Sequence, residues 1–211
     1  MTERRPMEVR RAEIADAALR LIGTRGIADL TMASLAEAVG VTPGALFRHY
    51  PSREAILDAA AARAEELLAP TVPSPDLPPL ERLRALVLAR SATVGSNAGL
   101  SRLLLSEQFA MALPPAAAER LRGLITRTRG WVRAVLAEAI ESGAIRDDID
   151  PDSLAVLVLG TVQALALATG STHGKPLLGA RKPAEVWDAL EALLAMNRPG
   201  RSRPAAAKRK S

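Results

Sequence analysis

Apolar residues recur at helical spacing along almost the whole chain. Ile14, Ala18, Leu21 and Ile22 share one face of a segment from about residue 9 to 25, and Gly26 punctuates its end. Met32, Leu35, Ala36 and Val39 follow at i, i+3, i+4 and i+7, with Thr31 placed as N-cap and Gly40 directly behind. A third helix opens with Thr42 as cap and Pro43 at the first helical position, where a missing N–H is no loss, and runs to Pro51. Ser52 then caps a fourth, with Glu54 in its first turn to suit the dipole. That helix fades near Leu68 into PTVPSPDLPP, a stiff connecting loop. Beyond it the pattern predicts amphipathic helices over about 80–93, 100–111 and 115–142. The longest carries Leu121, Leu124, Thr128, Trp131, Val135 and Ala139 on one stripe, and Gly143 sits where a C-terminal cap belongs. Asp150-Pro151 starts a helix that is apolar nearly all round from Leu154 to Leu167, and Pro183 starts a last one bearing Val186, Trp187, Leu190, Leu193 and Leu194.

Composition narrows this to an all-α fold. Of 211 residues, 48% are apolar and 24% charged, which is globular rather than disordered, while aromatics at 2% leave no strand-favouring runs. With no cysteine there is no disulfide framework or thiolate metal site. The start, MTERRPMEVRR, is charged where a secretion signal needs an apolar stretch. The apolar run Leu154–Ala168 carries Thr161 and Gln163 and is short for a bilayer, so the expectation is a cytoplasmic protein without membrane contact. The net charge of +5 is concentrated in residues 198–211, which hold six basic residues and no acid. The remaining chain has 22 basic and 23 acidic residues, so the high pI says little about the folded body. This basic tail is expected to be disordered and solubilising.

The second and third helices, joined by a tight Gly-containing turn, make a helix-turn-helix. The third would enter the major groove. At about 100° per residue, Pro43, Leu46 and Tyr50 share the face that packs on the first two helices, and Gly44 and Arg48 face away, flanked by Ala45 and Phe47. Gly44 and Ala45 let the backbone approach a groove floor, and Arg48 supplies a donor fork for guanine or phosphate. Thr42 and the free N–H groups beside it suit a phosphate oxygen.

The stretch LTMASLAEAVGVTPGALFRHYPSREAIL closely resembles the DNA-binding domain of the TetR family of bacterial repressors. Thr31, Leu35, Ala36, Gly40, Val41, Thr42, Gly44, Leu46, His49 and Leu57 stand at that family's spacing. The resemblance implies phosphate contact at Thr31 and Met32, a reading end at Thr42, Pro43, Gly44 and Ala45, and a backbone clamp at His49 and Arg53. Arg53 stands where Lys is usual, Phe47 where Tyr is usual, and Tyr50 where Phe is usual. The Tyr50 hydroxyl therefore needs a surface position or a polar partner.

The expected organisation is a helix-turn-helix head over 1–53, a helical ligand-binding and dimerisation domain over 54–197, and the tail. Phe109, Trp131, Gln108 and Gln163 are candidates for lining a cavity for a small apolar effector. A helix apolar on every side must be covered on every side, so Leu154, Leu157, Val158, Thr161 and Leu165, with Val186, Trp187, Leu190 and Leu194, are assigned to a homodimer interface. The resemblance implies the same, a four-helix bundle across the dimer. The partners are then a double-stranded operator, a second copy and the effector, with no cofactor and no metal. His173, in a loop by composition, is read as solvated. Two rivals were weighed. A ligand-independent DNA-binding protein predicts no well-formed apolar cavity. An enzyme needs converging titratable groups, and this chain has two distant histidines and scattered carboxylates.

Overall fold

Thr31, Thr42 and Ser52 each start a helix, and in each case the hydroxyl oxygen accepts the backbone N–H three residues on: Ser34, Ala45 and Ala55, at 3.0, 3.2 and 3.2 Å. The computed structural model that shows this describes residues 7–105, 111–169 and 182–195. The helices are α1 (Met7–Arg25), α2 (Met32–Val39), α3 (Pro43–Phe47), α4 (Arg53–Leu68), α5 (Pro79–Gly95), α6 (Ala98–Leu105), α7 (Pro115–Glu141), α8 (Pro151–Thr169) and α9 (Pro183–Ala195), with a short 3₁₀ turn at Ala69–Thr71. The protein is all-α, without a strand among the described residues.

Two ends differ from the sequence pattern for local reasons. Helix α3 stops at Phe47 instead of running to Pro51, and the N–H groups of His49 and Tyr50 both turn back to the Leu46 carbonyl. Pro51 disfavours helical backbone at Tyr50. Helix α6 begins before Leu100 because the Asn97 side chain accepts the Leu100 N–H at 3.2 Å.

Two buried clusters make the core. The first joins the inner faces of α1, α2, α3 and α4, among them Ile14, Leu35, Leu46 and Leu57, to Leu100 of α6 and Leu121 of α7. The second joins Leu83, Leu86 and Val87 of α5 to Val135 of α7, Leu154 and Val158 of α8 and Trp187 of α9. Helix α4 thus belongs to the head's core while also packing along α7 of the larger domain. Helix α1 crosses α6 at unusually short range. A Cβ on Gly99 would lie 2.1 Å from the Leu19 carbonyl oxygen, and one on Gly23 would lie 2.6 Å from the Gly99 nitrogen. Only glycine on both helices permits this approach.

Helix α8 corrects two expectations. Its first 18 residues, Pro151–Ala168, have a mean hydropathy of 1.6, so by length and composition the helix could span a bilayer. Packing sets it apart from a lipid-facing helix, because α8 buries one face against α5 and α7. Packing also reassigns most of the expected dimer residues. Leu154, Val158, Leu165, Trp187, Leu190 and Leu194 are buried inside one protomer, filling the second cluster. Of that set Leu157 stays open, while Thr161 and Val186 are half-buried. The apolar side chains left uncovered are Val156 (61% exposed), Leu157 and Leu167 on α8 and Leu193 (59%) on α9. The helical period holds, but α5 occupies the side of α8 that the sequence pattern assigns to a partner.

Candidate nucleic-acid interface and ligand cavity

The turn between α2 and α3 is closed by Gly40, whose φ of 70° lies in the left-handed region. Its N–H reaches the Ala36 and Glu37 carbonyls, and the Val41 N–H reaches Ala36 at 3.0 Å. This brings α3 out at the angle where Leu46 and Tyr50 are buried and Gly44, Phe47 and Arg48 are exposed. A Cβ added at Gly44 would meet nothing within 4 Å. Internal packing therefore does not require glycine there. Phe47 keeps 49% of its surface in the open on the same side as Arg48.

The other expected DNA-binding residues divide into two groups. Thr31, Thr42 and Pro43 are exposed at helix starts, with Ala45 and His49 half-buried between α3 and the body. Pro43 was expected on the packed face, but it sits at the first position of a five-residue helix, ahead of the buried turn. The His49 Nδ1 is buried without a hydrogen-bond partner. Met32 and Arg53 turn inward. Met32, at the start of α2, is half-buried and packs against the core. Thr31 and Ser34 cap each other: the Thr31 N–H reaches Ser34 Oγ, and the Ser34 N–H reaches Thr31 Oγ1, each at 3.0 Å. Arg53 donates Nε to the Leu30 carbonyl and Nη2 to the Ile27 carbonyl, both at 2.8 Å. It thereby ties α4 to the loop between α1 and α2, with two of its five N–H donors committed.

The larger domain contains two neighbouring cavities. The first, about 120 Å³, is walled by Leu124, Ile125, Leu159 and Val162, with Thr128 and Gln163 as polar groups. The second, about 300 Å³, reaches Trp131 and Glu65. Arg90, Leu124 and Thr128 line both. Trp131 and Gln163 therefore stand where a ligand could meet them, whereas Phe109, Gln108, His173 and the basic tail lie outside the described residues. Sequence reasoning missed Arg90. The signal was present: Leu83, Leu86, Val87, Arg90 and Val94 form one helical stripe, and an arginine on an apolar stripe is out of place.

Comparison with known proteins follows this division. A family model described as "Bacterial regulatory proteins, tetR family" matches residues 14–60. A second, described as "Tetracyclin repressor-like, C-terminal domain", matches residues 76–167. The chain is 29% identical over 158 residues to a nucleoid occlusion factor SlmA from Vibrio campbellii, covering 73% of this chain and 80% of that protein. It is 26% identical over 163 residues to the HTH-type transcriptional regulator TtgR of Pseudomonas putida, covering 74% and 77%. Its fold is similar to AibR solved in complex with isovaleryl coenzyme A and operator DNA, with a TM-score of 0.72 at 24% identity over 88% of this chain and 98% of that one.

Proposed function

Because the chain belongs to the TetR family of bacterial transcriptional regulators, we propose that it represses transcription by gripping a palindromic operator as a homodimer and lets go when a small apolar effector enters its larger domain. The observation that carries this reading is the outward face of α3. Gly44 is open, Arg48 and Phe47 are exposed, and Leu46 and Tyr50 hold the helix from behind. Arg48 can read a base edge while Gly44 lets the backbone come close. The uncovered side chains Val156, Leu157, Leu167 and Leu193 support pairing of two copies. Two heads so joined would meet successive major grooves about 34–36 Å apart.

Release requires that the effector bind the two head positions unequally. Helix α4 and the α1–α6 crossing join the head to the helices that wall the cavities. A coupling of ~1–3 kcal/mol would change operator occupancy several-fold. A protein of this kind works in the cytoplasm and needs no cofactor for the switch.

The test is footprinting of the full chain on DNA upstream of its own gene. Protection of an inverted repeat, with half-sites one turn apart, is the expected result. A folded protein that protects no repeat sinks the proposal. A second reading draws on the relatives named nucleoid occlusion factor SlmA, for the same head would also serve a DNA-binding protein that is not a ligand-released repressor. That reading expects DNA affinity indifferent to any small molecule, so an effector that loosens binding decides between the two.

A further inference from the structure

We infer that the effector is an anion: an organic acid whose carboxylate pairs with Arg90 while its hydrocarbon body fills the apolar cavity beside it. The inference rests on the reading of this cavity as the effector site and adds the chemical class.

Arg90 is only 7% exposed. Its Nε is buried with no hydrogen-bond partner, and no described carboxylate pairs with it. The other buried arginine among the described residues, Arg82, also has an unpartnered Nε, but its charge is paired with Glu138 of α7, and Arg90 lacks such a counter-charge. Glu65, which lines the second cavity with Arg90, is already engaged by Arg120 and Arg127. Burial without a counter-charge pushes the Arg90 guanidinium down to about 10. Taking a cation out of water without a partner is costly, and packing alone would favour Leu or Met at this point of the α5 stripe.

Beside Arg90 the cavity has two uncharged polar groups, Thr128 and Gln163, and is otherwise hydrocarbon. Thr128 offers a hydroxyl beside Arg90, and Leu124, Leu159, Val162 and Ala166 continue the wall as hydrocarbon. A bidentate guanidinium–carboxylate pair in this setting would satisfy the buried donors. A neutral ligand of the same shape could accept a hydrogen bond but would leave the buried charge unpaired, and a cationic one would be repelled. Discrimination therefore comes from the buried arginine and affinity from the hydrocarbon.

The test measures binding to the full-length protein by calorimetry, using straight-chain carboxylates from butanoate to decanoate and the matched primary amides. The expected result is that the best acid binds at least tenfold more tightly than its amide, and that Arg90→Met abolishes the preference. Met suits the hydrophobic stripe, so the variant should fold, and a thermal melt checks that it does. If acids and amides bind alike, the anionic class is wrong and the cavity reading stands. If neither series binds, the cavity reading fails and the proposal with it. Selectivity for acids that survives in Arg90→Met would also overturn it.

Discussion

Tyr50 donates its hydroxyl to the Arg11 carbonyl at 3.2 Å, and the Arg11 guanidinium lies over the Tyr50 ring, 5.1 Å from its centroid. The residue that ends the recognition segment is thus bound at both ring and tip to α1. Only the polar tip is lost in Tyr50→Phe, which is expected to cost ~0.5–1.5 kcal/mol. The packed ring should keep α3 in place. A thermal melt should show the loss, and an unchanged melting temperature would mean that the hydroxyl bond contributes nothing.

Gly44 and Arg48 should matter to DNA and not to folding. Arg48→Ala is expected to weaken operator binding by roughly 1–3 kcal/mol if Arg48 reads a base. Gly44→Leu meets open space in the free protein but would project into a groove floor. Both variants should melt like wild type while losing affinity in fluorescence anisotropy. Wild-type affinity in Gly44→Leu would show that this side of α3 does not face the duplex.

Arg53 uses two arms of one fork on two carbonyls. Lysine carries a single ammonium on a flexible stem and cannot reproduce that planar grip. Arg53→Lys is therefore expected to destabilise the head by ~1.5–3 kcal/mol, the range for a lost hydrogen bond to a charged group. Chemical denaturation checks this. A Lys variant as stable as wild type would return Arg53 to a purely DNA-facing role.

At the crossing of α1 and α6, Gly99→Ala places a methyl group 2.1 Å from the Leu19 carbonyl oxygen. The two helices must move apart. Overpacking of this kind costs about 1–3 kcal/mol and sometimes more. The expected outcome is a lower melting temperature and faster hydrogen exchange in both helices. An unperturbed Gly99→Ala would mean that the close approach is not maintained in solution.

The uncovered stripe on α8 gives the dimer test. Leu157→Glu puts a charge where the proposed interface excludes water, so light scattering should show wild type as a dimer and the variant as a monomer at the same concentration. Leu154→Glu would instead damage the protomer's own core, because Leu154 is buried within it. A Leu157→Glu protein that remains dimeric would move the interface elsewhere.

The caps at Thr31, Thr42 and Ser52, the Gly40 turn, the inward Leu46 of α3 and Tyr50 just beyond it are all legible in the chain, with the outward Gly44 and Arg48. Each depends on groups within a few residues of one another, or on the helical period, so the local sequence determines it. Tertiary structure decided the rest. Arg53 meets carbonyls more than twenty residues away. Which side of α8 lies inside depended on where α5 packs. The cavity around Arg90 exists only where α5, α6, α7 and α8 fail to close completely. A hydrophobic period shows that a face will be covered, but which surface covers it, and what gap is left, is settled by the packing of distant segments.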